Sequence, residues 1–118
     1  MAGSVERTIA ALVGTLIDEA GIPATAEQRA ETVGYVLATI ERMPDYFRLG
    51  FRTLAQGFSL AGVARHGRRF DRLDFAQRQA QVQAWRQSRI GVRRSMIAFY
   101  DAFTTFGAYS AAYRDEAA

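Results

Sequence analysis

The sequence predicts an all-α protein, a single-domain bundle of about five helices. Three observations support this prediction. Apolar residues recur at helical spacing, alternating strand-like runs are scarce, and the segments 25–28 (TAEQ) and 74–77 (DFAQ) are capping boxes that mark helix starts. At 118 residues, 49% of them hydrophobic, the chain suits one core and is too short for two domains. We expect one domain over residues 1–118, with frayed tails at 1–3 and 114–118.

The first two helices are bounded by clear start and stop signals. Val5, Ile9 and Leu12 fall on one face of the first helix, and Ser4 is its predicted N-cap. The segment Gly21-Ile22-Pro23 ends this helix, because proline has no N–H to donate and disfavours a helical residue before it. The second helix follows the capping box at Thr25.

The third helix, over about residues 45–65, is apolar on two sides. One side is lined by Phe47, Phe51, Leu54, Phe58 and Ala61, and the other by Tyr46, Gly50, Thr53, Gly57, Leu60 and Ala64. A helix of this kind is central in its bundle or covered by something else. Two glycines seven residues apart in a helix predict close approach by a neighbour.

The fourth helix opens at the Asp74 capping box and is predicted to reach about residue 89. Gly91 separates it from a fifth helix over roughly residues 92–112. An aromatic stripe on that helix, containing Phe99, Phe103 and Phe106, is expected to fill a core seam. Tyr100, Tyr109 and the second side of the third helix are expected to stay outside the core and to meet a partner or a second copy.

Residue types exclude several chemistries. The chain has no cysteine and no lysine, which excludes a disulfide framework, a thiolate metal site, a catalytic thiol and a lysine Schiff base. The only histidine, His66, stands at a predicted helix end, where a capping or surface role is favoured over catalysis. Glu27 and Glu31 are four residues apart on a solvated face, which makes a metal site a poor interpretation. We therefore predict no catalytic, cofactor-binding or metal-binding residue in this chain. A small enzyme built around His66, Asp71 or a tyrosine is the least favoured hypothesis.

The charge is unevenly distributed. Residues 65–94 hold nine arginines against two aspartates, a net charge of +7, although the whole chain carries only +3. Three interpretations are open: a solvated face, a surface for phosphate or lipid, and a docking surface for an acidic protein.

Trp85 lies within this block and is predicted to share a face with Arg78 and Arg89. Trp85 and Arg89 are four residues apart, close enough on a helix for a cation–π contact. Tryptophan with arginine is typical of protein–protein hot spots, and core packing of Trp85 under arginine stems is an equal alternative. The predicted partner-binding residues are Trp85, Arg89, Arg93, Arg78, Tyr100 and Tyr109.

The segment 58–110 carries a family pattern. It contains a Gly-Arg-Arg-Phe run ending at Phe70, then Leu73, Arg78, Trp85-x-x-Ser88, an arginine at 93 or 94, and an aromatic close at Tyr109. This half of the chain resembles the small helical subunits of the gluconate 2-dehydrogenase subunit 3 type, which accompany flavin-dependent glucose–methanol–choline dehydrogenases. It is also similar to the helical segment that precedes the flavin domain of long-chain alcohol oxidases in that superfamily.

The resemblance implies a non-catalytic accessory subunit that binds and stabilises a large flavoprotein subunit of an alcohol- or sugar-type dehydrogenase. FAD is then expected in the partner and no cofactor in this chain. The alternative is an arginine-rich helical binder of nucleic acid or of an anionic membrane surface. Nucleic acid is less favoured because its binders usually mix lysine with arginine, and membrane contact would be peripheral. No signal peptide or transmembrane segment is evident. We expect a cytoplasmic protein, or a periplasmic one if it is exported with a partner.

Overall fold

Five α-helices and one short 3-10 helix make up the described part of the chain, which confirms the predicted all-α bundle. The computed structural model describes residues 3–117, without the side chains of Ser4 and of residues 115–117. No strand occurs in that part of the chain. The elements are α1 (Ser4–Ala20), α2 (Ala26–Glu41), α3 (Asp45–His66), a 3-10 helix (Phe70–Arg72), α4 (Phe75–Arg86) and α5 (Gly91–Ala117).

Helix α1 forms the centre of the bundle and contacts all four other α-helices. Its side chains Leu12, Val13 and Ile17 are completely buried. Burying an aliphatic side chain of this size stabilises a fold by about 1.5–3 kcal/mol, so this helix anchors the core. The alternative that α3 is central is therefore wrong, and its second apolar side faces outward.

The helix ends follow the predicted capping chemistry at two places. The backbone N–H of Gln28 donates to Oγ1 of Thr25 (3.1 Å), and the N–H of Thr25 donates to Oε1 of Gln28 (2.9 Å). Asp74 and Gln77 make the same reciprocal pair at the start of α4. Helix α1 ends at Gly21 in the left-handed region (φ 70°), a conformation that glycine adopts without steric penalty.

Three predicted boundaries are wrong. Gly3, not Ser4, is the N-cap of α1, and glycine has no side chain that could cap the helix. Helix α4 stops at Arg86 instead of residue 89, because the chain turns at Ser88, whose backbone N–H donates to the carbonyl oxygen of Trp85 (3.2 Å). Helix α5 continues to Ala117, beyond its predicted end at about residue 112. The expected fraying at residues 1, 2 and 118 lies outside the described residues.

The connection between α3 and α4 is tied to the core by Phe70 and Gln81. The Phe70 ring lies 4.5 Å from the ring of Phe58, centroid to centroid. Nε2 of the buried Gln81 donates to the carbonyl oxygen of Phe58 (2.6 Å). Helix α4 is thereby fixed against the middle of α3, and the 3-10 helix packs against α1 and α3.

The close backbone approaches occur at glycines other than those predicted. A Cβ on Gly50 or Gly57 would meet no described atom within 4 Å, so the prediction of a tight neighbour there is wrong. A Cβ on Gly62 would lie 2.9 Å from the carbonyl oxygen of Arg68, closer than real Cβ contacts allow. The α3–α4 connection therefore requires glycine at position 62, whereas the surface beside Gly50 and Gly57 is open.

Candidate functional site

Exposed apolar side chains are concentrated on α3 and α5. Nine of the eleven large hydrophobic residues that are exposed in the described part of the chain belong to these two helices. Tyr46 (70% exposed) and Phe47 stand at the start of α3, and Val92 stands in the first turn of α5. The prediction that the second side of α3 remains outside the core is confirmed, since all six of its residues are exposed.

An open apolar groove of about 210 Å³ lies between the beginnings of α3 and α5. Its lining includes Tyr46, Phe47, Gly50 and Phe51 from α3 and Val92 and Met96 from α5. We call this feature the α3–α5 groove. Met96 is buried and Phe51 half-buried, so they form its inner part, whereas Tyr46, Phe47 and Val92 form its exposed rim.

The shape of the groove depends on two neighbouring residues of α3, Gly50 and Phe51. Gly50 has no side chain, and the position of its missing Cβ is surrounded by open space. Aromatic side chains hold α3 and α5 together beside it: the Phe51 ring lies 4.6 Å from Phe99 and 6.2 Å, edge-on, from Tyr100. A glycine beside a large aromatic residue thus produces a recess with a packed floor.

A line of aromatic rings continues from the groove along α5. Phe99 contacts Phe103 at 4.7 Å between centroids, and Tyr35 of α2 lies 6.2 Å from Phe103 and 5.8 Å from Phe106. From here on, the name aromatic stripe denotes five residues: Phe51, Phe99, Phe103, Tyr35 and Phe106. Phe106 is 61% exposed, so the prediction that Phe99, Phe103 and Phe106 fill a core seam is wrong at its last position. A shallow apolar depression of about 330 Å³ lies beside Phe103 and Phe106.

Two predicted partner-binding residues lie in the core. Tyr100 is completely buried, so the prediction that it remains outside is wrong. Burial raises the pKa of its phenol above the ordinary value. Trp85 is 7% exposed and packs edge-on against Phe58, with the centroids 4.8 Å apart, which favours the core alternative. Tyr109, at 59% exposed, is accessible as predicted.

The cation–π partner of Trp85 is Arg93 rather than Arg89. The guanidinium carbon of Arg93 lies 5.0 Å from the centroid of the indole ring. Arg89 follows the end of α4, so the helical spacing that would have placed it over Trp85 does not apply. Arg78 is half-buried on α4, and its Nε has no hydrogen-bond partner among the described residues.

The arginines fall into two groups that differ in their pairing. Six of them, at positions 7, 29, 48, 52, 86 and 114, form ion pairs with Asp or Glu. Among the side chains that the structure describes, nine arginines have no such pair, and eight of these nine lie in the segment 65–94. We call these eight the unpaired arginines. The positive charge predicted for this segment is therefore not neutralised within the described chain.

His66 lies at the end of α3, and Glu27 and Glu31 lie on α2. His66 ends α3, is half-buried, and its Nε2 has no hydrogen-bond partner in the described residues. Glu31 forms an ion pair with Arg114, and Glu27 is exposed. Within residues 3–117, no three His, Asp or Glu side chains come together as a metal site would require.

Comparison with known proteins gives no match: no family model, no curated protein and no solved structure is significantly similar to the chain. In the part of the chain that the structure describes, no helix combines the length and apolar character needed to cross a bilayer. The α3–α5 groove, the aromatic stripe and the unpaired arginines are thus the features on which a function can be proposed.

Proposed function

We propose that this chain is a non-catalytic accessory subunit that binds and stabilises the large FAD-dependent subunit of an alcohol- or sugar-type dehydrogenase. The α3–α5 groove carries the proposal, because its apolar rim is exposed to solvent and would be buried by a bound protein. Contiguous apolar surface on a small protein is the usual mark of a protein interface. Aromatic residues and arginine, both present at this end of the molecule, are enriched in such interfaces.

The flavoprotein identity of the partner rests on the sequence resemblance. The residues that carry the resemblance include Phe70, Leu73 and Trp85, all of which are buried. They determine how the α3–α4 connection packs and make no docking surface themselves. Support for a partner therefore comes from other residues, chiefly Tyr46, Phe47 and Tyr109, whose exposure the core does not explain.

The direct experiment is purification of the tagged full chain from its native host, followed by an absorption spectrum. The proposal predicts a stoichiometric large subunit with flavin bands, and the flavin absorbance should follow that subunit through further chromatography. A colourless monomer or homodimer would contradict it. A flavoprotein present at a small fraction of the tagged chain would also count against it, because a subunit is stoichiometric.

The unpaired arginines favour a second candidate, a binder of nucleic acid or of an anionic membrane surface. Neutralising phosphates with arginines releases condensed counterions, so the affinity for duplex DNA would fall steeply with salt. Titration of duplex DNA and of anionic vesicles against salt tests this candidate. Absence of binding at low salt would remove it.

A further inference from the structure

We propose that the α3–α5 groove receives an acidic amphipathic segment of the partner protein, which adds a binding mode to the accessory-subunit function and rests on it. Apolar side chains of that segment would enter the groove. Its carboxylates would lie over Arg89, Arg93 and Arg94, the three unpaired arginines at the corner between α4 and α5. The groove and this corner share the first turn of α5, where Val92 and Arg93 are consecutive.

The dimensions of the groove favour a protein segment over a small ligand. At about 210 Å³ it is smaller than the roughly 300–1,000 Å³ of a typical ligand pocket. The groove is also partly open to solvent and apolar, as are the grooves that receive amphipathic helices through anchor side chains one turn apart. Gly50 allows the backbone of such a segment to approach α3 closely.

Two of the three corner arginines have defined contacts, and none of the three forms an ion pair with a described carboxylate. Arg93 lies over the Trp85 ring, and Nη1 of Arg94 donates to the carbonyl oxygen of Ser88 (2.8 Å). The first turn of α5 contains no acidic residue. Cations at a helix N-terminus are disfavoured by the positive end of the helix dipole, and anions are favoured there. Carboxylates from a partner would therefore neutralise both the arginines and the helix end.

A second copy of the chain is a poorer occupant for the groove. A two-fold interface centred on this surface brings the same patch of both copies together. Arg89, Arg93 and Arg94 of one copy would then approach those of the other, and the first turn of α5 holds no acidic residue to offset that repulsion. The apolar groove and the cationic corner together fit a partner that is apolar on one side and acidic beside it.

The test compares designed helical peptides of about 16 residues, roughly four helical turns. The first has a leucine face and glutamates, the second has the same face with lysines, and the third has serines in place of the leucines but keeps the glutamates. Fluorescence anisotropy at about 0.15 M salt measures their binding to the full chain. The proposal predicts that the leucine–glutamate peptide binds at least about tenfold more tightly than either of the others.

Two matched pairs of variants locate the binding site on the protein. Arg93→Glu with Arg94→Glu should weaken the leucine–glutamate peptide by about tenfold or more, whereas Arg65→Glu with Arg68→Glu, an equal change of charge elsewhere, should weaken it by less than about threefold. Gly50→Leu fills the groove and should abolish binding. Gly57→Leu, on the same exposed side of α3 but outside the groove, should not. Circular dichroism checks that each variant is folded.

Equal binding of the serine–glutamate peptide, or tighter binding of a short duplex DNA, would overturn the proposal in favour of a general polyanion surface. Equal binding of the lysine peptide, or undiminished binding of the leucine–glutamate peptide to the Arg93→Glu/Arg94→Glu variant, would overturn it as well, as would no binding. These failures are separable from failure of the proposed function. If the flavoprotein co-purifies in full yield with the arginine variant, the accessory role stands and this site is wrong. If the peptide preference holds but no flavoprotein co-purifies with the parent chain, this binding site stands and the accessory role is wrong.

Discussion

The rings of Phe51 and Phe99 lie 4.6 Å apart, centroid to centroid, with an interplanar angle of 45°. This contact joins α3 to α5 beside the α3–α5 groove, and both rings are only half-buried. Tilted aromatic pairs at such a distance stabilise by about 0.5–1.5 kcal/mol beyond the area they bury. The same rings thus help to hold two helices together and leave apolar surface for a partner.

Trp85→Ala is expected to lower the stability of the isolated chain by about 3–5 kcal/mol, because the indole is buried against Phe58. Urea unfolding followed by circular dichroism measures this change. Phe75→Ala is the matched control on α4, since Phe75 is 38% exposed, and it should cost less than about 1 kcal/mol. Similar losses for the two variants would show that Trp85 is not part of the core.

Tyr109→Ala should leave the free energy of unfolding within about 0.5 kcal/mol of the parent value, since the side chain is exposed. Co-purification of the large subunit should nevertheless decrease. Loss of stability without loss of assembly would place Tyr109 in the fold and remove it from the proposed docking surface.

Gly62→Ala and Gly57→Ala should have opposite effects. A methyl group at position 62 would meet the Arg68 carbonyl oxygen at 2.9 Å and the Phe70 nitrogen at 3.0 Å, so we expect a loss of about 1–3 kcal/mol. At position 57 the methyl group meets nothing, and alanine should stabilise α3 by about 0.5–1 kcal/mol. Thermal unfolding of both variants distinguishes them. An unchanged or raised midpoint for Gly62→Ala would contradict the described path of the α3–α4 connection.

Tyr100 should make stability decrease at alkaline pH. Burial raises the phenol pKa in the folded protein, whereas the unfolded chain loses this proton near pH 10. The contribution of the protonated Tyr100 phenol to the free energy of unfolding is therefore complete below about pH 10 and is lost as the pH rises above it. Urea midpoints between neutral and alkaline pH should decline less in Tyr100→Phe than in the parent protein. The same variant should remain within about 1 kcal/mol of the parent at neutral pH. Identical alkaline slopes would contradict burial of Tyr100.

Arg86 joins three helices through two carboxylates. Its Nη2 lies 2.7 Å from Oε1 of Glu19 on α1 and 3.1 Å from Oδ2 of Asp101 on α5, and its hydrogen bond to Glu19 is the main reason that its pKa is raised. Because the guanidinium is partly exposed, screening limits the loss in Arg86→Met to about 1 kcal/mol. Arg114→Met, at the more exposed pair with Glu31, should change almost nothing. Thermal midpoints of the two variants test this difference, and equal effects would contradict a bridging role for Arg86.

Local signals predicted most of the fold. The capping boxes at Thr25 and Asp74 and the stop signal at Gly21 and Pro23 act within a few residues, so they can be recognised in the sequence alone. Gly91, predicted to separate α4 from α5, is instead the first residue of α5. The ends of α4 and α5 were harder to predict because Ser88 and Arg114 have no comparable local stop signal. Their boundaries depend on tertiary packing, which one sequence does not display.

The surface was predicted in part. The outward second side of α3 follows from its apolar pattern, because a small bundle cannot cover two faces of that helix. The burial of Tyr100 and the exposure of Phe106 cannot be predicted from the sequence, since neighbouring aromatic residues on α5 look equivalent until the direction of α2 is known. The open space at Gly50 was also missed. A glycine in a helix marks either a close neighbour or a recess, and only the fold distinguishes them.

The central claim is that the α3–α5 groove joins this chain to a flavoprotein subunit. The most direct measurement is the flavin absorbance that co-purifies with tagged Gly50→Leu compared with tagged Gly57→Leu, both expressed in the native host. We predict a stoichiometric flavoprotein with Gly57→Leu and a loss of at least about tenfold with Gly50→Leu, although both variants are folded. Equal flavin in the two preparations would show that the groove is not the interface, and no flavin in either or in the parent protein would contradict the accessory role itself.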